Sequence, residues 1–371
     1  MTREEFGDKI VDVIEGIGKG VCNVTYGACD VIDNLTTAII GLGVDEKTME
    51  SGLGKWKVKE TENGLVITGY EVGDETDRHD DTKVVGGLPI TCTRGANLKL
   101  AIPAEIDGQK VVGIGDYAFY QCKELVSITI PFGVTRIGES AFNSCDYLAK
   151  VTIPDSVRSI GESAFASCWD LKSVVIPTGV TVISDGIFAG CVNMTSVTIP
   201  DSITSIGERA FRGCGQLTSV TIPPKVTTIE EDVFWGCKNL VSIKIPDGVT
   251  SIGDSSFWGC EKLASVYIPD SVTAIGKCAF NECESLTQIS IPFGVTTIRE
   301  MTFSDCRRLK DLKLPDCLTT IEKFAFFNCD LKSMIIPNTV TTVGKLAFGN
   351  CDCFDATNRD LIQRRFGTDV L

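Results

Sequence analysis

A chain of 371 residues with a single histidine, His79, has given up most of the common catalytic repertoire. A Ser-His-Asp set, a Cys-His nucleophile pair and an H-E-x-x-H zinc helix each need histidine beside set partners. His79 sits instead in the acidic run Asp74-Glu75-Thr76-Asp77-Arg78-His79-Asp80-Asp81. That run has oxygens enough for calcium, but it lacks the spacing and central glycine of an EF-hand loop. It reads as a solvated acidic loop. No G-x-x-x-x-G-K-[ST] phosphate loop and no C-x-x-C pair occurs, and acid pairs such as Glu230-Glu231 fall in turns. Nothing in the pattern asks for a catalytic site, a metal or a cofactor.

Excess positive charge is also missing, with 35 basic against 49 acidic residues and a net charge of −14. Such a chain offers no general footprint for a phosphate backbone, so nucleic acid is not an expected partner. No apolar run reaches the roughly 18 residues needed for a membrane-spanning helix. Met1 to Ile10 carries Glu4, Glu5 and Asp8 with Arg3 and Lys9, and no continuous apolar stretch follows, so the start does not read as a secretory leader. Exported and intracellular locations both stay open.

What the chain does have is a strict repeat. Phe119/Cys122, Phe142/Cys145 and Phe165/Cys168 open a series of F-x-x-C phrases that runs on through Phe326/Cys329 in steps of 23 residues, with a last copy at Phe348/Cys351 after 22. A second phrase keeps time with it, from Ile130-Pro131 through Ile222-Pro223 to Ile336-Pro337. In the unit Leu217 to Asn239, Leu217, Val220 and Ile222 alternate with Thr218, Ser219 and Thr221, which predicts a short strand with one buried face. Pro223 ends that strand because it has no N–H to donate. The chain then bends back through Val226 and Ile229, and Phe234 and Cys237 point inward.

One such unit cannot bury its apolar side alone, but stacked units lay Leu on Leu and Phe on Phe. Coils about 4.8 Å apart make a rod on the order of 50 Å long. Of the 17 cysteines, eleven sit on this lattice and six, Cys22, Cys29, Cys92, Cys278, Cys317 and Cys353, lie off it. The lattice thiols are expected to be reduced and buried, since stacked side chains leave their coils in parallel directions.

The phrase I-P-D-S-V-R-S-I-G-x-x-A-F-x-x-C-x-x-L, Ile153 to Leu171, resembles the 23-residue leucine-rich repeat of the BspA type, over about Leu65 to Cys351. The resemblance implies an α/β-type repeat solenoid, a rod with a parallel strand face. It also implies surface or secreted proteins that adhere to host matrix or to other cells, with no enzyme activity in the repeats.

The ends depart from the repeat. Residues 1–50 read as an N-terminal helical segment, because Ile10, Ile14, Ile17, Val21, Val24, Ala28, Val31, Leu35, Ala38 and Leu42 alternate steps of four and three. Gly16, Gly18, Gly20 and Gly27 predict a break within it. That seam fits a folded-back cap, a self-association or membrane-surface segment, or a leader. Residues 51–113 read as a cap with irregular first repeats, 114–351 as the solenoid, and 352–371 as a C-terminal cap. In that cap Thr357 or Asn358 starts a helix that carries Leu361, Ile362 and Phe366.

The strand face is the candidate binding surface. Its outward positions carry Lys150, Lys172, Lys244, Lys310, Lys313 and Lys332 against one acid, Asp311, a balance of +5 on a chain of −14. The rest is mainly Ser and Thr, with Tyr267 its lone aromatic, and Arg307 and Arg308 precede the strand of Lys310 and Lys313. Lysines on an open sheet can simply keep it soluble; the alternative is a docking face for an acidic protein or glycan. Trp235 and Trp258, one repeat apart, fit either packing in the turns or a binding hot spot.

Overall fold

The computed structural model describes residues 47–51, 54–72, 98–331, 334–351 and 356–371. All belong to one compact unit, Asp45–Arg78 together with Pro89–Leu371. The helical seam of residues 10–42, the acidic loop around His79, and Lys332 lie outside the described residues.

Each coil has three sides. The first is a short parallel strand: Ser219–Thr221 pairs with Ser242–Lys244, which pairs with Ser265–Tyr267, each one repeat along. Leu217, Val220 and Ile222 are buried, while Thr218, Ser219 and Thr221 face out, as the alternation requires. The second side is a two-residue strand, such as Thr228–Ile229, in its own parallel ladder with Ser251–Ile252 and Ala274–Ile275. The sequence suggests only a bend at this place. Its signal was the recurring Ser-Ile or Thr-Ile pair, too short for alternation to mark as a strand.

The third side is a run of turns that also pairs coil to coil. The N–H groups of Phe119, Phe142 and Phe165 donate to the carbonyls of Ala141, Ala164 and Ile187 at 2.7, 2.8 and 3.0 Å. Eleven phenylalanines, Phe119 to Phe348, are buried along this side in one column. Neighbouring ring centroids lie 5.0 to 5.9 Å apart. The planes tilt by only 2° to 21°, within the offset-stacked range that aromatic quadrupoles favour.

The cysteine column explains itself through this geometry. From Cys145 on, each lattice thiol donates to the phenylalanine carbonyl of the preceding coil: Cys145 to Phe119 at 3.0 Å, Cys237 to Phe211 at 3.3 Å, Cys351 to Phe326 at 3.1 Å. That carbonyl already accepts the backbone N–H of its own coil's cysteine, as Phe211 does from Cys214 at 3.1 Å. A small apolar side chain with one weak donor therefore fills both the space and the second lone pair. The lattice cysteines are unbridged, and burial pushes the Cys214 thiol up to about 12. Thiolate is the reactive form, so alkylation of Cys214, Cys237 and Cys260 at pH 8 is expected to be slow in the folded chain and fast in denaturant. Equal rates in the two conditions, or disulfides between consecutive lattice cysteines in native material, would contradict this arrangement.

Both ends are closed by structure outside the repeat. Strands β1 (Lys47–Ser51), β2 (Gly54–Thr61) and β3 (Gly64–Val72) form an antiparallel meander, and β3 then joins the short-strand ladder by parallel pairing with Gln109–Ile114. Residues 47–50 are thus strand where the sequence suggests the tail of a helical segment. The four-and-three seam has ended at Leu42, and Met49 pairs across to Trp56. Gly64–Tyr70, within the stretch read as a cap with irregular first repeats, lies in this meander. Just after Ala104 the chain makes a tight hairpin, Glu105–Ile106 against Gln109–Ile114. Asp107 and Gly108 form its turn at φ 50° and 78°, the left-handed pair that such turns demand.

At the other end, helix α1 (Ala356–Phe366) starts before Thr357 and Asn358, so neither serves as its cap as expected. Ile362 is buried, and the Arg365 guanidinium donates to the carbonyls of Ile336, Pro337 and Val340 at 3.2, 2.8 and 2.9 Å. The final residues then act as one more rung, with Leu346 and Phe348 donating to the carbonyls of Asp369 and Val370 at 2.7 and 2.9 Å. No helix among the described residues is long and apolar enough to cross a membrane.

Candidate functional site

The strand ladder sorts its outward side chains into rows. One row runs Ser219, Ser242, Ser265, Gln288, Asp311, each beside the next in register. A second places Thr221, Lys244 and Tyr267 side by side, with Ser290 beside Lys313 further along. Lys150 pairs with Ser127, which in turn pairs with Lys99 on the first strand of the ladder. Lys150, Lys172, Lys244, Lys310 and Lys313 are all exposed, as is Tyr267 at 62%. The face is therefore open along the described ladder.

Its charge is less concentrated toward the C-terminal coils than the sequence suggests. Lys310 is paired with Asp330 at 3.7 Å, and Arg307 with Glu284 and Asp305 at 3.5 and 3.3 Å. Such exposed pairs are weak, but each cancels local field. Arg308 is exposed beside them. Across the coil, at the corner after the short strand, seven successive coils carry a carboxylate: Asp116, Glu139, Glu162, Asp185, Glu208, Glu231 and Asp254. Partial burial, followed by the charge of Glu231, raises the Glu208 carboxyl above its ordinary value. Much of the negative charge thus sits off the strand face. Among the described residues, no cluster of acids, cysteines or histidines could hold a metal ion.

Trp235 and Trp258 stack edge to face, 6.4 Å between centroids, on the turn side. The Arg212 guanidinium lies 4.6 Å from the Trp235 ring centre and is held by Asp232 at 3.2 Å. Both indoles are half-buried. Arg212 and Trp258 occupy the same column one coil before and one coil after Trp235, so that ring already has a partner from each side. The geometry accounts for this pair as packing.

Two aromatic residues that sequence reasoning passed over are more exposed, Tyr147 at 57% and Trp169 at 52%. Their signal was position: they follow Cys145 and Cys168, in turns where most other coils carry charged or polar residues.

The model of the BspA-type leucine-rich repeat region matches residues 112–241 and 227–354, in six copies. This chain belongs to the BspA-type leucine-rich repeat family. A leucine rich cell surface protein from Faecalibacterium prausnitzii is similar at 29% identity over 88% of this chain and 98% of that one, with a TM-score of 0.51. A leucine-rich repeat protein from Bacteroides ovatus is similar at 25% identity over 82% and 92%, with a TM-score of 0.50. Among curated proteins none matches the chain. The family's fold accounts for the strand face, the phenylalanine column and the proline that ends each strand.

Proposed function

We propose that this is a non-enzymatic binding or adhesion protein that recognises another macromolecule, a protein or glycan of acidic character, through its strand face. The observation that carries the reading is the charge contrast: exposed lysines on an otherwise Ser/Thr-rich ladder, on a chain of net −14. Long-range attraction to an acidic partner would orient it onto that face and away from the carboxylates at the opposite corner. The description of the Faecalibacterium relative as a cell surface protein supports an adhesive role outside the cell.

The test is binding of the immobilised intact chain to purified matrix proteins and acidic polysaccharides. Lys244→Glu with Lys313→Glu is expected to weaken the strongest interaction about fivefold or more at low salt, and to flatten its salt dependence. Lys225→Glu with Lys345→Glu, two exposed lysines off the face, changes net charge equally and is the control. Equal loss in both variants would mean that total charge matters and the face does not.

A further inference from the structure

Trp169 stands in a column of the turns that follow each lattice cysteine. Elsewhere this column is filled by ion pairs between neighbouring coils: Lys123 with Asp146 at 3.4 Å, Lys238 with Glu261 at 2.9 Å, Arg307 with Glu284 at 3.5 Å. Between those pairs it reads Trp169, Val192, Gly215. Asn193 donates its backbone N–H to the Trp169 carbonyl at 3.2 Å, which fixes Val192 directly alongside in the next coil. On the other side, Asp170 donates to the Asp146 carbonyl at 3.0 Å, which brings Tyr147 next to the same turn. Tyr147, Trp169 and Val192 are all exposed, at 57%, 52% and 44%. A tryptophan held half in solvent on a hydrogen-bonded turn has apolar area left to bury against a partner, and Trp and Tyr are the residue types enriched in binding hot spots.

The charge beside this patch is unneutralised. Three residues beyond Tyr147 and Trp169, where each turn passes into its strand, stand Lys150 and Lys172, both exposed. Neither has a carboxylate within ion-pair distance among the described residues. Of the nearby acids, Asp146 is neutralised by Lys123 at 3.4 Å, while Asp170 accepts a hydrogen bond from the neutral Asn193 amide at 3.3 Å and keeps its charge, with no lysine among the described residues within ion-pair distance. Apolar rings and free cations at this spacing match a peptide that alternates apolar side chains with carboxylates.

We infer that Tyr147 and Trp169, with Lys150 and Lys172, form the anchor of the strand face and seat an acidic peptide segment of a partner protein, its apolar side chains on the rings. The inference rests on the strand-face reading above and narrows it to a protein partner.

The test titrates the intact chain into a fluorescein-labelled twelve-residue peptide in which glutamates alternate with leucine and phenylalanine. Two control peptides replace the glutamates by glutamine or the apolar residues by serine. The parent peptide is expected to bind at least about tenfold more tightly than either control. Tyr147→Ser with Trp169→Ser should lower its affinity by about tenfold, and Lys150→Glu with Lys172→Glu by as much, with a weakened salt dependence. Both variants change exposed side chains, so the far-ultraviolet spectrum and melting midpoint should stay near those of the parent chain. Unchanged affinity in the Tyr147/Trp169 variant overturns the anchor. So does equal binding of the glutamine control, or no saturable binding up to roughly 1 mM. Heparin that binds through the lysines with no dependence on Trp169, while the peptide does not bind, would reassign the patch to a sulfated glycan. Loss of peptide binding in Lys244→Glu/Lys313→Glu, with none in the Tyr147/Trp169 variant, would keep the strand face and remove the anchor.

Discussion

Replacing Phe234 by alanine is expected to cost about 3–5 kcal/mol in its region of the solenoid. The ring is fully buried and lies 5.7 and 5.4 Å from Phe211 and Phe257, so its removal opens a cavity and ends two stacked contacts at once. Because each coil touches chiefly its neighbours, the loss should concentrate in the coils from Phe211 to Phe257, and amide exchange should rise there first. Denaturant unfolding with exchange readout checks both parts. A cost below about 1 kcal/mol would mean that the phenylalanine column is not the core.

Removing residues 356–371 is expected to release the last coil. The deletion takes Ile362 and Val370 out of the core and leaves the Leu346 and Phe348 N–H groups without the carbonyls of Asp369 and Val370. Two buried aliphatic side chains and two such hydrogen bonds are together worth roughly 5 kcal/mol or more. The Leu346 and Phe348 amides should therefore lose their protection from exchange, and an apolar dye should bind the opened end. Arg365→Ala, which removes three contacts to carbonyls of the last coil, should give part of the same effect. Full protection of both amides in the truncated chain would show that the cap is dispensable.

These two effects come from features that differ in how far they can be read from sequence. The phenylalanine column follows from the 23-residue period alone, since equal spacing returns each ring to one place in its coil. The cap follows less directly. Leu361, Ile362 and Phe366 announce a helix, but the use of Asp369 and Val370 as a rung depends on where the helix sets the chain down. At the first coils, antiparallel pairing of Met49 with Trp56 overrides any continuation of the helical pattern upstream.

For the candidate face, alternation around Val220 or Ile243 is enough to tell which residues point out. It does not tell which outward charges are already matched. Lys310 meets Asp330 and Arg307 meets Glu284 about one coil away, so these pairs appear only when neighbouring columns are laid side by side. The same holds for exposure of aromatics. Trp235 is covered because Arg212 and Trp258 stand in its column, whereas Trp169 is open because Val192 and Gly215 follow it. A tryptophan after a lattice cysteine and a tryptophan after a lattice phenylalanine thus have different fates within one repeat.

The most direct measurement of the central claim, that the strand face is the surface that binds, is amine-reactive footprinting of the intact chain with and without its bound macromolecular partner. Lys150, Lys172, Lys244 and Lys313 are exposed on or beside the face, while Lys59, Lys225 and Lys345 are exposed away from it. The first group is expected to become severalfold slower to modify in the complex, and the second to keep its rate. Protection of Lys59, Lys225 and Lys345 with no change at Lys150, Lys172, Lys244 and Lys313 would contradict that claim.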